Sequence, residues 1–255
     1  MPFLPNSSVY YRKWEPEHAK AGVVFLHGVG EHSGLYHRFA HLLNAQGFRV
    51  WAIDQIGHGH TAGTLPDAYP IRPLVENARR LLALAASENE AIPLILGGHS
   101  MGGVTAALLS SLSDRPQIDG LFLSGTPLCH VPCPSDIAER VMSTDPEYLD
   151  ALAVDPLLPK EDIDFPALWA GFRTVQEEIA QHFAEWNFPV LTLSGEYDPV
   201  APPSLAREWA RRLPNARYVE LRGGHHDILN DWCYRSVARL ISGFLFETIT
   251  DEILP

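Results

Sequence analysis

One stretch, "LILGGHSMGGVTAALL" at 94–109, restricts the fold more than any other part of the chain. Four glycines lie within seven positions around Ser100, where a strand-like apolar run meets small residues at helical spacing. Glycine destabilises strands and helices by about 0.5–1 kcal/mol relative to alanine, so four of them here need a structural reason. Residues 98–102 match G-x-S-x-G, a tight strand-to-helix turn that raises a serine hydroxyl above the sheet edge. The stretch therefore predicts a buried strand, a strained turn at Ser100 and a buried helix.

The rest of the chain alternates between strand-like and helix-like segments. Short apolar runs bounded by turn residues predict six strands, at 22–28, 48–54, 93–99, 120–125, 189–195 and 216–221. Amphipathic patterns predict helices between them, at 35–46, 72–88, 101–113, 202–212 and 231–247. Continuous apolar strands that alternate with helices predict an α/β fold, with a mostly parallel, doubly wound sheet flanked by helices.

The alternation stops between residues 126 and 188. This interval contains seven prolines and no strand-like run, but helical patterns occur at 135–143 and 168–186. A structureless loop of this length is uncommon inside a compact domain. We therefore predict a small helical cap at 126–188 over one edge of the sheet, with the core formed by 1–125 and 189–255. Most apolar residues of the cap are expected to pack a small core of its own, and a minority to face the site.

Composition and charge exclude several function classes. The net charge of −12 opposes a nucleic-acid partner, because phosphate binding needs clustered Lys and Arg. The N-terminus lacks the pattern of a secretory signal, and no apolar run approaches the roughly 20 residues that span a bilayer. We therefore expect a cytoplasmic protein. The three cysteines do not suggest a disulfide framework, and Cys129, His130 and Cys133 lack a fourth ligand at suitable spacing, so no metal is predicted.

Ser100 needs two partners before its hydroxyl becomes an effective nucleophile: a base that accepts its proton and an acid that orients the base. Asp198 follows a predicted strand, so its carboxylate is expected at the same sheet edge as Ser100. The candidate bases after the last predicted strand are His225 and His226. The order Ser, Asp, His is typical of α/β-hydrolases. Chemistry alone leaves Glu196 and Asp227 open as the acid.

Five segments resemble the α/β-hydrolase superfamily, and within it the serine aminopeptidase-like group of monoacylglycerol lipases and lysophospholipases: 27–61, 97–103, 155–158, 195–200 and 223–231. The resemblance implies an α/β-hydrolase fold with Asp198 as the acid. It implies His226 as the base, because the family's base precedes an acidic residue and an ILN-like run; His225 stays an alternative. The implied oxyanion-hole donors are the backbone N–H groups of Met101, after the nucleophile, and of Val29, after the His-Gly pair.

A substrate pocket is expected between the sheet edge and the cap. Its predicted lining residues are His27, Leu128, Trp169 and Phe172. Together these features predict a serine carboxylic-ester hydrolase, similar to monoacylglycerol lipases, that acts on a small or medium apolar ester without a cofactor. A thioesterase or amide hydrolase could use the same triad, and a non-catalytic ligand receptor the same fold. Activity is expected to fall as the base protonates, near or below its usual pKa of about 6.5.

Overall fold

The computed structural model describes residues 3–88, 92–128 and 141–251. Across these residues seven strands form one sheet: β1 (Tyr11–Trp14), β2 (Ala21–Leu26), β3 (Phe48–Ile53), β4 (Leu94–His99), β5 (Gly120–Ser124), β6 (Val190–Gly195) and β7 (Ala216–Leu221). The α-helices are α1 (His37–Asn44), α2 (Ile71–Glu88), α3 (Met101–Ser111), α4 (Pro146–Val154), α5 (Phe165–Gln181), α6 (Pro203–Ala210) and α7 (Tyr234–Asp251). Within the described part of the chain, no helix combines the length and apolarity needed to cross a membrane.

The sheet has the order β1-β3-β2-β4-β5-β6-β7 and is parallel except at one edge. There β1 pairs antiparallel with β3, so that Tyr11 lies opposite Ile53 and Trp14 opposite Val50. The six predicted strands are confirmed. The edge strand β1 was not predicted, because its sequence, YRKW, carries two cations instead of a continuous apolar run. Charged side chains are common on exposed edge strands, where they discourage pairing with another chain.

Helices cover both faces of the sheet, as the alternation predicts. One apolar cluster joins the sheet to α2, α3, α5 and α6, and a second joins the opposite face to α1 and α7. Neighbouring residues of β2 divide between them: Val24 and Leu26 belong to the first cluster, Val23 and Phe25 to the second. Every residue of α3 is buried, which explains its small side chains. The carboxyl ends of β2, β4, β5 and β6 share one edge, and the candidate site lies there.

Between β5 and β6, the described residues 141–188 contain α4, α5 and a short 3-10 helix, and no strand. We call them the cover segment. Each helix begins at an aspartate whose carboxylate accepts an N–H of the first turn: Asp145 for α4 and Asp164 for α5. The pattern at 168–186 is confirmed by α5, whereas α4 was not predicted. The pattern at 135–143 lies largely outside the described residues.

The cover segment does not form a small core of its own, contrary to the expectation. The apolar face of α5, including Leu168, Phe172 and Ile179, joins the same cluster as α2 and α3. At Gly171 a side chain would collide with the carbonyl oxygen of Tyr69, so α5 packs closely against the residues that lead into α2. This helix therefore belongs physically to the main core. The division of the chain into core and cap stays a prediction.

Candidate active site

The nucleophile candidate, Ser100, lies in the turn between β4 and α3. Its φ of 50° and ψ of −120° are strained, and Asn6 is the only other non-glycine residue with positive φ in the described part of the chain. A side chain at Gly98 would collide with the carbonyl of Gly102, and one at Gly102 with the carbonyl of Leu26. Both flanking glycines are therefore required by close backbone contacts. The turn presents Ser100 at the wall of a cavity.

Asp198 and His226 form a buried pair at the same edge. Nδ1 of His226 lies 2.9 Å from each carboxylate oxygen of Asp198. Oδ1 of Asp198 also accepts the N–H groups of Val200 and Ala201, each at 2.8 Å, so the backbone fixes the carboxylate. An ionised carboxylate only accepts, so Nδ1 of His226 carries a proton toward Asp198, and Nε2 is an acceptor once the ring is neutral. His226 and Ser100 line the same cavity.

The surroundings of His226 raise its pKa to about 9. Burial by itself lowers the pKa of an imidazole, but the carboxylate of Asp198 outweighs it, and Asp227 and Glu31 add to the effect. The direction of this shift is opposite to the expectation of protonation near or below pH 6.5. Sequence reasoning could not anticipate three carboxylates around one buried ring.

The alternative base and acid occupy other positions. The ring of His225 bonds through Nδ1 to Asp231 at 3.1 Å and lies beside the exposed ring of Tyr197. Glu196 accepts the N–H of Gly223 at 2.8 Å. Neither His225 nor Glu196 is among the residues that line the cavity. Of the candidates considered, the structure brings together Asp198 and His226.

Asp227, the remaining acid candidate, belongs to a polar patch on the cavity wall. Its carboxylate lies 3.4 Å from Nε2 of His99 and accepts the hydroxyl of Tyr148 at 3.3 Å. The same hydroxyl lies 3.5 Å from Glu31, a second buried carboxylate. Burial raises the pKa of Glu31, and the charge of Asp227 adds to that effect. Sequence reasoning did not assign Glu31, His99 or Tyr148 to the site, although "GEHS" and "GGHS" were among the matching motifs.

The loop after β2 also lines the cavity. The Gly28 N–H donates to Oε2 of Glu31 at 2.7 Å, and the Gly30 N–H donates to Nε2 of His58 at 2.9 Å. These bonds fix the backbone on both sides of Val29, which lines the cavity. Met101 is the first residue of α3, where an N–H has no partner within the helix.

His27 supports this loop from behind. Its Nε2 accepts the N–H of Gln55 at 2.9 Å, so Nδ1 carries the proton and donates to the carbonyl of Gly28 at 2.7 Å. Complete burial, with a contribution from His58, holds the pKa of His27 well below its usual value. His27 is therefore neutral and does not line the cavity, which differs from its expected place in the pocket.

The cavity has a volume of about 230 Å³ and lies between the sheet edge and the cover segment. Trp169 and Phe172 line it, as expected, whereas Leu128 is buried in the core and does not. Its other apolar lining residues are Met142, Leu152, Leu158, Ile163, Phe165, Leu168 and Val200. Most come from α4, α5 and their connection, and sequence reasoning missed Leu152 because it missed α4. The cavity thus joins an apolar chamber to the polar groups around Ser100.

One group in the described residues offers three metal-ligand atoms within 4.8 Å of one another, from His99, His226 and Asp227. Two of these side chains already have close partners: His226 bonds to Asp198, and His99 faces Asp227. The expected non-binding cluster of Cys129, His130 and Cys133 lies outside the described residues. His99, His226 and Asp227 all line the cavity, and we describe them as part of its polar patch.

Comparison with known proteins identifies the family of the chain. The family model for serine aminopeptidases, S33, matches residues 17–138 and 127–232. Over 253 residues the chain is 27% identical to a monoacylglycerol lipase of Mycolicibacterium smegmatis, with 88% of this chain and 87% of that protein covered.

Solved structures of related proteins are also similar to this chain. The monoacylglycerol lipase of Paleococcus ferrophilus matches with a TM-score of 0.74 and 26% identity over 94% of this chain and 99% of that one. A thermostable carboxyl esterase of Bacillus coagulans, solved with glycerol, matches with a TM-score of 0.78 over 98% of this chain and 97% of that one. Its identity is 21%, so this second likeness supports the fold alone.

Proposed function

Because the chain belongs to the serine aminopeptidase S33 family of α/β-hydrolases, we propose that it hydrolyses carboxylic esters through an acyl-enzyme on Ser100. One observation carries this proposal. A serine on a strained turn and an imidazole bonded to a buried carboxylate line the same mainly apolar cavity. These are the groups that serine acyl transfer needs, in the surroundings that an apolar acyl group needs.

In the proposed acylation step, Nε2 of His226 accepts the proton of Ser100 as Oγ attacks the ester carbonyl carbon. Asp198 stabilises the imidazolium that forms by holding its Nδ1–H. When the tetrahedral intermediate collapses, the bond to the alcohol oxygen breaks and His226 returns the proton to that oxygen. Water then repeats the sequence against the acyl-enzyme and releases the carboxylic acid.

We assign the backbone N–H groups of Val29 and Met101 as the oxyanion-hole donors. The loop around Val29 is fixed by the bonds of Gly28 and Gly30, and Met101 begins α3, where the helix dipole also favours negative charge. A preorganised donor of this kind contributes about 3 kcal/mol to stabilisation of the transition state. Because the donors are backbone groups, side-chain changes at these positions should alter substrate fit more than chemistry.

The size and the apolar lining of the cavity favour an ester with a short or medium acyl group. Its volume of about 230 Å³ is below the 300–1,000 Å³ typical of pockets for drug-sized ligands. Its apolar walls suit a hydrocarbon chain, while the polar patch near Ser100 suits the alcohol half of the ester. The likeness to the Mycolicibacterium monoacylglycerol lipase makes a short-chain monoacylglycerol the first natural ester to test.

Replacement of the nucleophile tests the proposal. Ser100→Ala should lower kcat on p-nitrophenyl butyrate and on monobutyrin by at least about 10³-fold and should abolish labelling by a fluorophosphonate probe. Ser110→Ala is the matched control, since Ser110 is a buried serine on α3, the helix that follows the Ser100 turn, and it does not line the cavity. It should keep both turnover and labelling. Retained turnover in Ser100→Ala, or a wild-type protein that neither reacts with the probe nor cleaves any ester, would refute the assignment.

A further inference from the structure

Asp231 is a fully buried carboxylate outside the catalytic pair. Its Oδ1 accepts the N–H of Thr144 at 2.8 Å, the hydroxyl of Thr144 at 3.0 Å and the N–H of Trp232 at 2.9 Å. Its Oδ2 accepts the N–H of His225 at 2.9 Å and faces Nδ1 of the same residue at 3.1 Å. Burial alone would raise its pKa, but the N–H groups of Thr144, His225 and Trp232 lower it below the usual value. Asp231 is therefore ionised and fully engaged.

This one side chain holds two distant parts of the chain together. A carboxylate needed only to close its own loop would bond to His225 and Trp232. The bonds to Thr144, which is 87 positions away, connect that loop to the start of the cover segment.

Each of the two connected segments lies next to a residue that lines the cavity. His225 directly precedes His226 along the chain. Two residues before Thr144, Met142 lines the cavity, and its carbonyl accepts the N–H of Asp227 at 2.8 Å. A shift of Asp231 would therefore move the base and part of the acyl-binding wall together.

We propose that Asp231 is a positioning residue, which aligns His226 with Asp198 and sets the Met142 wall against the same loop. This rests on the proposed function, since it assigns a role in that site. Asp231 touches neither substrate nor the reacting atoms in this scheme. It acts through the loop at 223–231, whose other polar links to the cover segment include the Ser143 hydroxyl, 3.3 Å from Oδ1 of Asp231 and 3.4 Å from the carbonyl of Asn230.

Asp231→Asn is the direct test. The amide keeps the size of the side chain, but its NH₂ group must face N–H donors on one side. We expect kcat on p-nitrophenyl butyrate to fall about 10- to 100-fold, because small displacements of a catalytic group have effects of this size. KM should rise a few-fold. The matched control is Asp119→Asn. The carboxylate of Asp119 also accepts a backbone N–H, that of Leu94, but it lies at the amino end of β4, at the opposite end of the strand from Ser100. The control should leave kcat and KM unchanged.

Two further readouts separate positioning from simple structural support. The NMR resonance of the Nδ1–H of His226 should shift or broaden in Asp231→Asn, because the bond to Asp198 loosens. The midpoint of the acid limb of kcat/KM should move to lower pH for the same reason. The groups that face His226 and set this midpoint are Asp198, Asp227, Glu31 and the ring of His99. In Asp119→Asn both readouts should match the wild type.

Thr144→Val keeps the proposal testable where Asp231→Asn does not fold. It removes only the hydroxyl bond to Asp231 and should produce shifts of the same sign and a kcat loss of about two- to fivefold. Folded Asp231→Asn and Thr144→Val proteins with wild-type kcat, midpoint and Nδ1–H resonance would overturn the proposal. The resonance does not need turnover, so it decides the role of Asp231 even where the wild type cleaves no ester and the proposed function fails.

Discussion

The two walls of the cavity are built by different means. The wall that carries Ser100, Val29 and His226 consists of short loops at the ends of parallel strands, and hydrogen bonds to backbone groups fix it. The wall from the cover segment consists mainly of apolar side chains on α4, α5 and their connection. The first wall positions atoms that react, and such positions tolerate little displacement. The second supplies volume and apolar surface, which many side-chain combinations can provide. Chemistry and specificity therefore lie on opposite sides of one space.

Several polar links join the two walls. Tyr148 of α4 reaches Glu31 and Asp227, Asp231 reaches Thr144, and Asp155, just after α4, pairs with His32. Changes in the first wall should remove activity, and changes in the second should redirect it. Among the links, Asp231 also positions His226, whereas loss of the His32–Asp155 pair should have only a small effect on binding.

The largest effect in this comparison is expected from Asp198→Asn. Without the carboxylate, His226 loses both its orientation and its preferred tautomer, and kcat should fall by about 10⁴-fold with KM little changed. Asp198 raises the pKa of His226, so the midpoint of the acid limb should also move to lower pH in the variant. The measurement is kcat/KM against pH, with a wild-type midpoint expected toward about 9.

Asp227→Asn is the contrasting variant for that experiment. Asp227 faces the imidazole but does not hold its Nδ1–H, so the midpoint should fall by less and kcat should fall far less than in Asp198→Asn. Equal losses of kcat in the two variants would contradict the assignment of Asp198 as the orienting acid.

An intermediate effect is expected from Leu158→Ala in the second wall. Leu158 lines the cavity, and its truncation should extend the acyl space by two to three carbon atoms. Each additional buried methylene contributes about 0.8 kcal/mol, which is about fourfold in kcat/KM. In a series of p-nitrophenyl esters, the optimum should therefore move to longer chains while kcat for the butyrate changes little.

Leu149→Ala is the control for Leu158→Ala. Leu149 lies on the exposed side of α4, with 45% of its surface accessible, and does not line the cavity. The activity of Leu149→Ala across the p-nitrophenyl ester series should match that of the wild type. A profile for Leu158→Ala that also matches the wild type would place the acyl group elsewhere.

The difference between the loop wall and the cover-segment wall also explains how much of the structure could be predicted from the sequence. The G-x-S-x-G turn and the six parallel strands follow from local rules, because tight turns and buried strands restrict residue type at each position. The choice of Asp198 and His226 over Glu196, Asp227 and His225 came from the resemblance to the family. The cover segment follows no such rule. Its α4 is short, has Leu149 and Val154 exposed, and depends on contacts with distant residues for its place. The raised pKa of His226 likewise depends on three carboxylates from separate loops, which no single stretch of sequence reveals.

The smallest effect is expected where His32 and Asp155 join the walls. Nδ1 of His32 accepts the N–H of Gly34 at 3.1 Å, so Nε2 carries the proton and donates to Oδ2 of Asp155 at 2.9 Å. Asp155→Ala removes this link between the loop after β2 and the end of α4. Because the apolar contacts of the cover segment stay, we expect kcat to change by less than about twofold. KM should rise about two- to fivefold, which is the size expected for the loss of a single hydrogen bond.

Asp150→Ala, on the exposed side of α4, is the control and should leave KM unchanged. A loss of kcat in Asp155→Ala as large as that in Asp198→Asn would mean that the cover segment takes part in the chemistry, and the separation of the two walls would no longer hold.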